Sequence, residues 1–162
     1  MALPCGRPRR LVRSGRGALL LGASLAIVCV DCVAAEEHVV NTRAARWVPM
    51  VLFIEPGDRV VWRGMEGHET EVLANMAPAG AMPWRSELDD EGFMVTFDQE
   101  GAYVYTCLTH MNAGMVGAIV VGGVPHNLAA LEAAVTEIEI GRNFVQSLLQ
   151  RLKREINRRL IP

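Results

Sequence analysis

The chain has 162 residues, of which 51% are hydrophobic and 21% are charged, and its formal net charge is −2. This is the composition of an ordinary globular protein. The length accommodates one domain with a real core and excludes two large domains.

The first 35 residues differ from the rest of the chain. Five arginines fall within residues 7–16, an apolar run of 13 residues follows at 18–30, and Val33-Ala34-Ala35 precedes Glu36. A basic head, a short apolar segment and small residues before a cut predict a secretory signal peptide over residues 1–35. The alternative is an uncleaved membrane anchor, but 13 apolar residues are short for a bilayer span.

Removal of the signal peptide changes the charge and the cysteine count. The remaining 127 residues hold 11 Lys and Arg against 17 Asp and Glu, a net charge of −6. A chain this acidic is a poor nucleic-acid binder, and its charge suits a basic partner. Of four cysteines only Cys107 remains, which in an exported protein indicates intermolecular pairing, a reactive thiol or a metal ligand.

Residues 36–125 read as short apolar segments broken by turn signals. Pro49 marks an edge or a bulge within the second segment, and Glu55-Pro56-Gly57-Asp58 is typical of a tight turn. About seven strands at regular spacing predict a mainly β fold, an antiparallel sandwich. The predicted strands are 38–42, 47–54, 59–63, 69–74, 93–97, 102–106 and 115–121.

Beyond Gly122-Gly123 the apolar spacing becomes helical. The pattern predicts two C-terminal helices, over 126–138 and 143–160, packed on the same domain as its last segment, 126–162. We expect Asn127 and Asn143 to be their N-caps.

One segment, 107–115, concentrates metal-binding chemistry. It offers the thiol of Cys107, the imidazole of His110 and the thioether of Met115 between two predicted strands, and His68 in an upstream loop supplies a second imidazole. Two His, one Cys and a weak axial Met are the ligands of a blue-copper electron-transfer site. His38 and His126 compete with His68, but we expect both to be solvated.

The segment from Tyr103 to Gly117 resembles the copper loop of the cupredoxin family, and the wider order of motifs is most similar to pseudoazurins. That order comprises 55–58, 67–68, 78–80, 101–103 and the two helices after the last strand. The resemblance implies an eight-stranded Greek-key β-sandwich that holds one type 1 copper ion. Its ligands carry over to His68, Cys107, His110 and Met115.

The resemblance also implies a function. The chain would be a periplasmic, monomeric carrier of single electrons with no chemistry of its own and no membrane span after cleavage. Its partners would be bacterial redox proteins, a reductase or a cytochrome, docking near His110.

Three departures from the pseudoazurin pattern stand out. Glu69 replaces the usual Asn after the upstream histidine, and Thr109 replaces the usual Pro before the downstream one. We expect the restored Thr109 N–H to donate to the Cys107 sulfur and raise the reduction potential above that of a proline variant. The lysines that often surround the exposed histidine are missing, since Lys153 is the only lysine. We therefore expect a partner surface different from that of copper nitrite reductase, a partner that the resemblance implies.

Two other functions stay open from the residues alone. A copper carrier or storage protein is the main alternative, because methionines at 65, 76, 82 and 111 could form thioether-rich loops. A copper enzyme would need further histidines, and only His38 and His126 remain after the two ligands are assigned.

Overall fold

A computed structural model describes residues 34–161, so all but the end of the predicted signal peptide lies outside the described residues. Eight strands and two α-helices make up this part of the chain. The strands are β1 (Glu37–Thr42), β2 (Trp47–Val48), β3 (Val51–Ile54), β4 (Asp58–Arg63), β5 (Glu71–Val72), β6 (Met94–Phe97), β7 (Gly101–Thr106) and β8 (Val116–Val121). The helices are α1 (Leu128–Ala134) and α2 (Arg142–Leu160), with 3₁₀ turns at Met111–Ala113 and Val135–Glu137.

The strands form two four-stranded sheets, in the orders β2-β1-β4-β6 and β3-β8-β7-β5. The predicted mainly β fold with two C-terminal helices is confirmed. The prediction of a purely antiparallel sandwich is wrong, because β1 runs parallel to β4 and β3 runs parallel to β8. Hydrophobic alternation reports which face a strand buries but not the direction of its neighbour.

The segment predicted as one strand over 47–54 is two strands that belong to different sheets. Trp47–Val48 pairs with β1, whereas Val51–Ile54 pairs with β8. Pro49 lies at the break, and its missing N–H cannot continue a ladder. The chain therefore crosses between the sheets at the proline.

The two strands next to the site are buried along their whole length. Every residue of β7 and β8 is buried, because one face of this sheet packs on the other sheet and the opposite face packs on the helices. Tyr103 and Tyr105 belong to the cluster between the sheets, and Val104 belongs to the cluster with Leu148 and Leu152 of α2.

Asn127 is the N-cap residue of α1, as predicted, but its side chain makes no capping bond. Asn127 instead accepts the Ala102 N–H at 2.9 Å and donates to the Ala102 carbonyl at 2.8 Å, which fastens the start of α1 to β7. Asn143 lies inside α2, whose N-cap is Gly141 in a left-handed conformation. The Asn127 side chain is therefore used to satisfy the buried backbone groups of Ala102 and is not available to cap the helix.

Candidate metal centre

The loop between β7 and β8 carries three of the four predicted ligands. Cys107 directly follows β7 and Met115 directly precedes β8, and the antiparallel pairing of Thr106 with Val116 fixes both ends. The Cys107 N–H donates to the Met115 carbonyl at 3.1 Å, and the Met115 N–H donates to the His110 carbonyl at 3.2 Å. The backbone therefore closes this loop tightly on itself.

His68 reaches the same place from the turn after β4. Its N–H donates to the Met65 carbonyl at 2.8 Å, and its carbonyl accepts the Asp89 N–H at 3.0 Å. The Asp89 carboxylate in turn accepts the Gly67 N–H at 2.6 Å. The Trp47 ring lies 6.3 Å from the imidazole. These hydrogen bonds and the Trp47 ring together fix the position of the turn that carries His68.

The thiol and the two imidazoles converge. Cys107 Sγ lies 3.3 Å from His110 Nδ1 and 3.8 Å from His68 Nδ1, and one ligand atom from each residue lies within 4.8 Å of the others. Metal bonds of about 2.0 Å to nitrogen and about 2.3 Å to sulfur, set in a trigonal plane, separate the ligand atoms by roughly 3.5 to 3.7 Å. The arrangement can accommodate one metal ion between the three side chains.

The site lies at the rim of the core. Cys107 and Met115 are completely buried in the same hydrophobic cluster, His68 is nearly so, and the His110 side chain is only half-buried. Met115 thus shares a hydrophobic cluster with Cys107, and its role as a ligand stays a prediction. The His110 ring is the imidazole closer to solvent.

Burial lowers the pKa of His68, and the neighbouring His110 ring lowers it further, while the nearby Asp89 carboxylate acts in the opposite sense. A neutral imidazole is the form that binds a metal ion. The environment of His68 thus favours that form at neutral pH.

A buried aromatic cluster lies against the site. The Tyr105 ring is 5.5 Å from Trp47 and 5.6 Å from Trp62, measured between ring centroids, and all three side chains are buried. Burial raises the pKa of Tyr105, so its phenol stays protonated. The cluster keeps this side of the metal site apolar and stiff.

Glu69 and Thr109 join the two loops. The backbone N–H and the hydroxyl of Thr109 both donate to Glu69 Oε1, and Arg85 Nη2 lies 3.4 Å from Glu69 Oε2. The expectation that the Thr109 N–H donates to the Cys107 sulfur is therefore wrong, because the carboxylate of Glu69 takes that N–H. Sequence reasoning missed Arg85, since nothing in its local pattern indicates that it folds back onto Glu69.

The two remaining histidines lie away from the site. His126 is exposed, as expected. The prediction that His38 is solvated is wrong, because its Nε2 lies 2.8 Å from Asp58 Oδ2 and its side chain is only 19% exposed. Among residues 34–161, the set of His68, Cys107 and His110 is the one group of His, Cys or acidic side chains with metal-binding geometry.

Comparisons with known proteins agree with this geometry. Residues 34–122 match the family of copper binding proteins described as plastocyanin/azurin. A putative pseudoazurin of Rhizobium leguminosarum bv. viciae is 32% identical over 73% of this chain and 81% of its own length. The pseudoazurin of Paracoccus pantotrophus is 30% identical over 69% and 80%.

Solved structures give the same result. A pseudoazurin structure from Sinorhizobium meliloti matches with a TM-score of 0.63 and 30% identity, over 72% of this chain and 96% of that one. The pseudoazurin of Methylobacterium extorquens AM1 matches with a TM-score of 0.62 and 26% identity, over 72% and 98%.

Proposed function

Because this chain belongs to the plastocyanin/azurin family of copper-binding proteins, and is a blue copper electron-transfer protein similar to pseudoazurins, we propose that His68, Cys107, His110 and Met115 hold its copper ion. The observation that carries this proposal is the approach of two Nδ1 atoms to one buried sulfur, at 3.3 and 3.8 Å. Two imidazoles, a thiolate and a thioether form the donor set that suits a single copper ion.

Each side chain has a distinct task. Bound copper supplies a one-electron couple between Cu(II) and Cu(I). When copper binds, Cys107 would lose its proton to the solution and contribute a thiolate, while His68 would contribute a neutral ring from the buried side. His110, half-buried at the rim, is the ligand through which an electron reaches the surface.

The frame around the ligands keeps them in place. The β7–β8 ladder, the Cys107–Met115 hydrogen bond and the Glu69–Thr109 link join all the ligand-bearing segments to one another. Ligands that do not move when the charge changes lower the reorganisation that accompanies electron transfer. A stiff site therefore serves a carrier better than a store.

The methionines support electron transfer over copper storage. Met65 and Met76 are completely buried and Met111 is 6% exposed, and they are divided between the two cores. Of the four candidate methionines only Met82 is exposed, at 84%, so the four do not together form a thioether-rich surface loop. Pseudoazurin-like proteins of this family are electron carriers, and we propose that this chain likewise performs no catalysis.

We propose that the protein works in the periplasm as a monomer. The support for the location is the signal-peptide pattern over residues 1–35. Among the described residues, no helix is both long and apolar enough to cross a bilayer. Its partners would be bacterial redox proteins that dock near His110. Intact-mass measurement of the exported protein tests the location, since cleavage predicts a chain that begins at Glu36.

Spectroscopy of the copper-loaded protein tests the site. We expect an intense visible thiolate-to-copper band, a narrow-hyperfine EPR signal of one copper per chain, and reversible one-electron cycling. Cys107→Ser should abolish the band, and His68→Ala should change it, whereas His126→Ala should leave it intact. A colourless protein that binds only Cu(I) would support copper carriage instead.

A further inference from the structure

We propose that the redox partner is a basic protein that docks into an apolar groove, flanked by acidic residues, beside the loop of residues 107–115. This inference rests on the proposed electron-transfer function. The groove has a volume of about 420 Å³ and lies between the loop that holds Cys107 and the turn that joins α1 to α2. We call it the loop groove. Its lining includes four large apolar side chains and two carboxylates: Leu108, Met111, Ile138, Ile140, Glu137 and Glu139.

The loop groove is apolar and open. Leu108 is 40% exposed and Ile140 is 56% exposed, so two large aliphatic side chains face solvent there. Leu108 is bonded directly to Cys107 in the chain. A partner seated in the groove would therefore contact the residue next to the metal thiolate. A small apolar contact of this kind suits a transient complex.

The charge of the mature chain is distributed very unevenly along its sequence. Residues 64–141, which contain all four proposed ligands, hold twelve Asp and Glu but only one basic residue, Arg85. The remaining parts of the mature chain, 36–63 and 142–162, hold five acidic and ten basic residues. The segment that carries the proposed ligands is therefore the acidic part of the chain, although two of its carboxylates, Asp98 and Glu100, lie at the far end of β7.

Acidic side chains lie near the proposed ligands, both beside the turn that carries His68 and beside the loop groove. Asp89 bonds to the turn that carries His68, and the Met65 N–H donates to Glu91 Oε2 at 2.9 Å. Glu137 and Glu139 border the loop groove on the other side. Arg85, the basic residue of this segment, is already engaged with the carboxylates of Glu69 and Glu71.

A basic side chain also lies close to the groove. Arg142 donates its Nε–H to the Ile138 carbonyl at 2.9 Å. It neutralises part of the local field, and Arg63, whose Nη1 lies 3.9 Å from Glu91 Oε1, does the same near the turn that carries His68. Glu66, Asp89 and the two groove glutamates still outnumber these two arginines. The sign of the potential that an approaching partner meets is therefore negative. Lysine or arginine around an apolar contact is the complementary surface.

Electron exchange with small ions of opposite charge tests the sign. The reduced protein would give one electron to tris(phenanthroline)cobalt(III), a trication that becomes Co(II), or to ferricyanide, a trianion that becomes ferrocyanide. We expect the second-order rate constant with cobalt to fall as ionic strength rises and that with ferricyanide to increase. Slopes of the reverse sign would overturn the proposal. Exchange with neither ion would instead refute the proposed function.

Paired variants separate the docking face from the net charge. Glu137→Gln/Glu139→Gln and Asp98→Asn/Glu100→Gln each remove two negative charges, but the second pair lies at the opposite end of β7, about 20 Å from Cys107. We expect the groove pair to lower the cobalt rate constant at low salt by about threefold. We expect the distant pair to change it much less. Equal effects of the two pairs would contradict a local docking face.

A protein probe tests the apolar part of the groove. With a lysine-rich c-type cytochrome as acceptor, Ile140→Ser should slow electron transfer, whereas Ile161→Ser, an exposed isoleucine at the far end of α2, should not. Neither variant should alter the visible band or the rate with cobalt. If Ile140→Ser left the cytochrome rate unchanged, the groove would not be the docking site.

Discussion

Glu69 Oε1 accepts two hydrogen bonds from Thr109, one from the hydroxyl at 3.0 Å and one from the backbone N–H at 3.3 Å. Glu69 follows His68 in the chain and Thr109 precedes His110, so this contact fastens the two histidine-bearing loops together with a carboxylate. The Glu69 side chain is only 11% exposed, and Arg85 lies at its outer oxygen. Two of the three departures from the pseudoazurin pattern, Glu69 and Thr109, thus belong to one interaction.

The first prediction concerns the charge of Glu69. A negative charge near the copper favours Cu(II), so Glu69→Gln should raise the reduction potential by tens of millivolts, an electrostatic effect on the order of 1 kcal/mol. The control is Glu66→Gln, because Glu66 is exposed and lies in the same turn. Protein-film voltammetry measures both. A rise for Glu66→Gln as large as that for Glu69→Gln would count against a special role for the link.

The second prediction concerns the hydroxyl of Thr109. Thr109→Val keeps the shape and the N–H but removes one donor from a nearly buried carboxylate, which should cost about 1.5 kcal/mol of unfolding free energy. Urea unfolding of the copper-free protein measures this cost. Thr136→Val removes an exposed hydroxyl that bonds to the Ala133 carbonyl and should cost much less. Similar losses in both variants would show that the link contributes nothing particular.

The third prediction concerns pH. Burial alone would raise the pKa of Asp58, but the N–H groups of Glu36 and Glu55 and the ring of His38 outweigh it and hold that pKa below its ordinary value of 3.8. The ionised form is thus more favoured in the folded state than in the unfolded one. The stability it contributes is present above about pH 4 and is lost as the pH falls through the lowered pKa.

Asp58→Asn tests this dependence. At pH 7 the variant should lose about 2 kcal/mol, since charge-assisted hydrogen bonds are removed from a buried group. The difference from the parent protein should shrink as the pH falls below 4. Asp98→Asn, at an exposed carboxylate, is the control. Urea unfolding across the pH range measures both, and a difference independent of pH would contradict the assignment.

The fourth prediction concerns the packing of the metal loop on α2. Gly114 has φ of 80°, and a Cβ there would lie 2.7 Å from a carbon of the Phe144 ring. Gly114→Ala should therefore destabilise the protein by at least about 1 kcal/mol and alter the visible copper band. Gly123→Ala introduces a methyl group into open space at an ordinary φ and should do neither. An unchanged spectrum and stability for Gly114→Ala would mean that α2 does not support the loop.

Much of this protein could be anticipated from local pattern. Alternation and helical spacing predicted the strands and both C-terminal helices to within a few residues, because each pattern reports which face of an element is buried. The ligand candidates were prominent because a lone Cys, a His and a Met share one short loop between two strands. Local pattern did not predict features that depend on contacts between segments remote in sequence. These features are the division of residues 47–54 at Pro49, the parallel strand pairs and the His38–Asp58 contact.

By itself, the sequence determined the kinds of donor atom present and the class of fold, since donor chemistry and hydrophobic period are properties of the residues. Only the tertiary structure decided that His68 meets Cys107, 39 positions away, and that Glu69 captures the N–H of Thr109. Those outcomes depend on how two loops from different sheets pack against each other. Side-chain chemistry is local, but the distance between two side chains is set by the whole fold.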